Sequence, residues 1–131
     1  MAVRSRLVAA VTTAVAAVAL GACSGGTPRS LPHPSKAFCD AAMKYDTAIQ
    51  KPTKKSQVEQ ARAQLPLVER MADTAPADVK QAAETVVEMY RRRAAGDRSV
   101  LDSPVAKKAV DDLNRRAGNG CGIYQDQNGG I

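Results

Sequence analysis

From residue 35 to residue 117 the apolar residues of this chain recur three and four positions apart, and no run alternates with the period of two that a half-buried strand needs. The spacing predicts an all-α fold. A first helix runs from Ser35 as N-cap to about Gln50, with Phe38, Ala42, Tyr45 and Ile49 on one stripe and Cys39 beside it. Ser56-Gln57-Val58-Glu59 has the form of a capping box and opens a second helix, whose stripe is Val58, Ala61, Leu65, Val68 and Ala72. Pro66 falls inside it and should kink or split it, because proline removes one helical hydrogen bond and costs about 3 kcal/mol. A third helix starts near Pro76, with Asp78 facing the positive end of its dipole, and carries Val79, Ala82, Ala83, Val86 and Tyr90. Arg91, Arg92 and Arg93 fall in its last turn, and Gly96 can supply a left-handed cap. Ser103-Pro104 opens a fourth helix, whose apolar set Val105, Ala106, Ala109, Val110, Leu113 and Ala117 ends at Gly118. Four amphipathic helices joined by short loops read as a small antiparallel, up-down four-helix bundle.

The core such helices could share is thin. The 131 residues support one small domain at most. Setting residues 1–22 aside leaves 109 residues, of which 42 are apolar and 16 of those are alanine. Domains so poor in large side chains often need a covalent staple.

Residues 1–22 are set aside because they read as an address rather than as fold. Arg4 and Arg6 precede a 14-residue apolar stretch, Leu7 to Leu20, shorter than the roughly 20 residues a helix needs to cross hydrocarbon. Leu20-Gly21-Ala22-Cys23 follows and resembles the lipobox of bacterial lipoproteins. The resemblance implies a signal peptide over 1–22, cleavage before Cys23, a diacylglycerol on the Cys23 sulfur and a fatty acyl group such as palmitate on the new amine. It thereby implies attachment to the extracytoplasmic face of the cell membrane through lipid at Cys23. Several acyl chains, at about 0.8 kcal/mol per buried methylene, hold where one chain binds only reversibly. The alternative is an ordinary signal peptide cleaved after Ala22, which leaves Cys23 as an odd thiol in an oxidising compartment.

Residues 23–34 then form a flexible tether, rich in Gly, Ser and Pro, able to hold a domain up to roughly 35 Å from the lipid. His33, flanked by Pro32 and Pro34, belongs to this linker rather than to a ligand set. The helical domain spans 35–124, and residues 125–131 read as a disordered tail. With Cys23 acylated, Cys39 and Cys121 are the one possible intramolecular pair, and an even number of antiparallel helices brings the start of the first and the end of the last together. A five-helix chain, with Pro66 as a full turn, would not do so. Phe38-Cys39-Asp40, Thr74-Ala75-Pro76-Ala77-Asp78-Val79 and Cys121-Gly122 together resemble a group of small actinobacterial, including mycobacterial, lipoproteins of uncharacterised function. That resemblance implies a helical, disulfide-bonded exported domain and no activity.

Groups for catalysis are scarce. The sole His lies in the tether, no Gly-x-Ser-x-Gly, phosphate loop or dinucleotide fingerprint occurs, and no His, Cys and carboxylate cluster has zinc spacing. The reading is therefore not an enzyme, with no metal and no cofactor beyond the lipid at Cys23. Asp111-Asp112 point about 100 degrees apart on a helix and read as a solvated face, paired with Arg115 and Arg116 at i,i+4. Tyr45 and Tyr90 read as core, although a tyrosine can also ligate haem iron.

The net charge of +6 falls to +4 when Arg4 and Arg6 leave with the signal peptide. An up-down bundle gathers Lys51, Lys54, Lys55, Arg91, Arg92, Arg93 and Arg98, with Lys107 and Lys108, at the end opposite the tether. This basic pole could meet an acidic envelope protein, an anionic polymer or anionic lipid, or it could be solvated surface that favours helix C-termini. Few aromatics accompany the cations, which argues against nucleic acid. Two function classes follow: a non-enzymatic, lipid-anchored binding or adaptor module of the cell envelope, and a carrier of a small ligand, haem or lipid, in the bundle interior. The sequence names neither the partner nor the oligomeric state.

Overall fold

The computed structural model describes residues 31–123. The expected signal peptide, Cys23, the expected tether up to residue 30 and the segment from residue 124 lie outside the described residues. Within them the chain is all-helical, with four α-helices and no strand. They are α1 (Lys36–Gln50), α2 (Gln57–Thr74), α3 (Lys80–Ala94) and α4 (Pro104–Cys121).

Local chemistry accounts for most of the boundaries. Ser35 caps α1 by accepting from the Phe38 N–H at 3.2 Å. The box at α2 is complete: Ser56 Oγ accepts from the Glu59 N–H at 3.3 Å, and Glu59 returns the favour to the Ser56 N–H at 2.8 Å. Ser103 caps α4 ahead of Pro104, and Gly96, at φ 93°, turns the chain out of α3. Each such cap contributes about 1 kcal/mol. α2 is not split at Pro66 but runs through it as one 18-residue helix. Pro66 lies on an exposed face, where water can serve the carbonyl four residues back that has lost its donor.

Two boundaries differ from expectation. A 3-10 turn, Ala77–Val79, follows Pro76, so Asp78 precedes α3 instead of sitting in its first turn. α4 continues past Gly118 to Cys121 and is capped by Gly122 in the left-handed region, at φ 68°. The extra turn carries Cys121 on the helix itself.

The core comprises 18 buried apolar residues, eight of them alanine, around Phe38, Val68 and Met71. Small side chains let helix backbones approach closely, and close packing of many small contacts replaces a few large ones. α2 packs between α1 and α3, and α3 between α2 and α4, while α1 and α4 meet more sparsely. Cys39 and Cys121 bridge that last pair, with Cα atoms 5.4 Å apart, the pairing expected with Cys23 set aside for lipid. Met71, Val87, Met89 and Val100 join the core beyond the expected stripes, whereas Ile49 (43% exposed) and Val105 (69% exposed) stay outside. Both lie in terminal turns, where no neighbouring helix covers the stripe.

Candidate functional site

The buried face of α4 is interrupted by one charge. Ala106, Ala109, Leu113 and Ala117 recur at helical spacing, and Arg116 falls on the same stripe, only 8% exposed. Its guanidinium has two partners. Nη2 donates to the Pro32 carbonyl at 2.5 Å, and Nε lies 2.8 Å from Oδ2 of Asp78, in the 3-10 turn before α3. The Nε–H is not aimed at that oxygen, so the contact is an ion pair without a directed hydrogen bond. The expected pairing of Arg116 with Asp112 does not form. Asp112 instead meets Lys108, one turn earlier, and Arg115 makes no ion pair among the described residues. Burial decided this: a guanidinium drawn into the protein must be met by an inward carboxylate, and Asp78 is the one presented.

Around Arg116 opens a cleft of about 530 Å³, lined by Leu31, His33, Asp78, Arg115 and Asn119 among others. Leu31–Pro34 thus lies against the helical body, and the helical unit begins at Leu31. Pro34 is buried over Gly120, where an added Cβ would stand 2.5 Å from Pro34 Cγ. Pro34 straps the end of the expected linker to the helical body, while Leu31, Pro32 and His33 stay exposed, with His33 at the border of the cleft. Sequence reasoning missed this site. Its signal was a charged residue on an apolar stripe.

A second cleft, of about 460 Å³, lies between α1 and α4 over α3. Tyr45, Met89, Tyr90, Ala106 and Val110 form its apolar walls, and Arg93 and Lys107 stand among its cations. The two tyrosine rings meet edge to face, 6.1 Å between centroids, with their hydroxyls 2.6 Å apart. Arg93 sits over the Tyr90 ring at 5.2 Å, within cation–π range. Tyr90 is buried in the core as expected, and Tyr45 is packed against it from α1.

The residues of the expected basic pole divide into two groups. Arg91 pairs with Glu69 at 2.9 Å, Arg92 Nε donates to Asp97 at 2.9 Å, and Arg93 covers Tyr90. Lys51, Lys54, Lys55, Arg98 and Lys107 are exposed and make no ion pair among the described residues. Arg93, Arg98, Ser56 and Gln57 border one small cleft, which places the start of α2 beside the end of α3. Arg62 reinforces this by donating to the Ala94 carbonyl at 3.0 Å. Asp97 sits in the same cleft with a carboxyl held below the ordinary carboxylate range, first by the Ser99 hydroxyl and then by Arg92.

Among the described residues no three His, Cys, Asp or Glu are grouped to hold a metal ion, and no helix is long and apolar enough to cross a membrane. No family model, curated protein or solved structure matches the chain.

Proposed function

We propose that the chain is a lipid-anchored cell-envelope protein, a non-enzymatic binding or adaptor module held on the extracytoplasmic face of the membrane through acylated Cys23. The observation that carries the reading is the Cys39–Cys121 disulfide, which suits an oxidising compartment and leaves Cys23, next to Leu20-Gly21-Ala22, as the one cysteine outside the pair. The resemblance to small actinobacterial lipoproteins belongs to this proposal, and so does an antiparallel, up-and-down arrangement of the four helices with a bend at Pro66. Contacts of the α2 start with the α3 end support that arrangement, as does the reach of Lys80, at the start of α3, to the Ala72 carbonyl near the end of α2.

The partner surface in this reading is the unpaired part of the basic end, Lys51, Lys54, Lys55 and Arg98, facing an acidic envelope protein or an anionic polymer. Metabolic labelling with an alkyne palmitate, followed by intact-mass analysis, tests the anchor. Acyl mass on the mature chain that vanishes in Cys23→Ser is the expected result; an unacylated mature chain refutes it. Replacing Lys51, Lys54 and Lys55 with Gln should weaken salt-sensitive retention on anionic polymer, and unchanged retention removes the basic end from the proposal.

A second reading, a small-ligand carrier, is favoured by one observation: the paired tyrosines at the cleft between α1 and α4. Haem and lipid are its two candidates. Titration with haem, read as a Soret band lost in Tyr45→Phe or Tyr90→Phe, tests the first.

A further inference from the structure

The cleft between α1 and α4 carries a more specific chemistry than the carrier reading on which this inference rests. The disulfide joins Cys39, in the first turn of α1, to Cys121, in the last turn of α4. Tyr45 on α1 faces Ala106 and Val110 on α4 across an open space floored by Met89 and Tyr90. Met89 and Tyr90 are 9% and 4% exposed, so the floor is core, whereas Tyr45 and Val110 are only half-buried walls. An apolar trough of this size with a few convergent polar groups has the form of a small-molecule site.

Its rim selects the sign of the ligand. Arg93 and Lys107 are cations with no ion pair among the described residues, against one exposed carboxylate, Asp111. Arg93 is held over the Tyr90 ring, which fixes a guanidinium above the apolar floor without neutralising it.

The geometry points to a binding site for an anionic amphiphile, a long-chain fatty acid whose carboxylate meets Arg93 and Lys107 and whose tail lies over Met89, Tyr90 and Val110. Arg93 and Lys107 supply charge-assisted contacts to the head, and the walls supply burial for the tail.

The test uses the whole chain in isolated membranes, free of ATP and coenzyme A so that no acyl transfer occurs, with a diazirine-bearing hexadecanoate as photoprobe. Labelled peptides are then mapped. The expected label lies on the peptides containing Tyr45, Met89 or Val110, and hexadecanoate competes it away at least fivefold better than hexadecanol. Shortening the competitor should weaken it by up to about fourfold per methylene. Lys107→Glu, a change on an exposed turn, should abolish the preference for the acid, and Arg93→Gln should reduce it; persistence of the Cys39–Cys121 disulfide checks that each variant is folded. Label confined to other peptides, or equal competition by the alcohol, overturns the fatty-acid assignment. If the label is absent while haem gives a tyrosine-dependent Soret band, the carrier reading stands with another ligand; if both are absent, both fall. Acylation at Cys23 is read separately in the same mass spectra.

Discussion

Removing Asp78 should destabilise the domain more than removing the arginine it serves. Arg116 is 8% exposed, and its Nε lies 2.8 Å from Asp78. At an effective dielectric of 20 two unit charges 4 Å apart attract by about 4 kcal/mol, most of which is offset by the desolvation both have undergone. Breaking a wholly buried pair from one side costs about 3–5 kcal/mol because a charge is left without compensation. The Asp78 side chain is 28% exposed, so water screens part of the loss, and about 2 kcal/mol is expected for Asp78→Ala. Arg116→Met removes the charge and keeps the volume, at a cost under about 1 kcal/mol, since the exposed Pro32 carbonyl returns to water and Asp78 can rehydrate. The double variant should resemble Arg116→Met alone. Urea unfolding with the disulfide intact measures all four proteins, with the midpoint moving and the slope constant. In a domain of this size 2 kcal/mol corresponds to a fall in Tm of about 8–16 °C. A loss for Arg116→Met equal to that of Asp78→Ala, or additive losses in the double variant, would refute the argument that the buried cation needs its counter-charge.

Three further outcomes follow from the same structure. Reducing the Cys39–Cys121 bond, which closes a separation of 82 residues, should cost up to about 4.5 kcal/mol in the chain-entropy account, seen as a lower urea midpoint in reductant; an unchanged midpoint would show that the clasp does not hold the fold. Gly120→Ala places a Cβ 2.5 Å from Pro34 Cγ, so the strap should lift even though helix propensity gains about 1 kcal/mol, and the imidazole signal of His33, the only histidine, should move toward its random-coil position. Glu59 and Asp97 titrate below the ordinary carboxylate range, held first by the hydroxyls of Ser56 and Ser99 respectively. Their contribution is therefore complete above that range and is lost as pH falls through the depressed values, which a carboxyl NMR titration resolves; midpoints at ordinary values would contradict it.

What the amino-acid sequence determined by itself is local. Ser35, the Ser56–Glu59 box, Ser103-Pro104 and Gly96 mark helix ends because their side chains, or the lack of one, bind or free the backbone within three or four residues. The disulfide was legible too, since cysteine number left a single pair once Cys23 was assigned to lipid. Helical periodicity also says which residues share a face. It does not say which part of that face another helix will cover, and so Ile49 and Val105 ended in solvent while Met71 and Met89 went inside.

The tertiary structure alone decided the contacts between residues far apart in the chain. Arg116 could choose among Asp112, one turn away, and Asp78, 38 positions away, and burial of its stripe settled the choice. Tyr45 and Tyr90 were legible as apolar-face residues, but their shared hydroxyl contact depends on how α1 sits on α3. The strap over Gly120 had no local signal, because Pro32 and Pro34 have the same composition whether they are solvated or packed. Capping energies act over one helical turn and leave their mark in short motifs, whereas the pairing of a buried charge or a cleft wall is set by which surfaces the whole chain brings together.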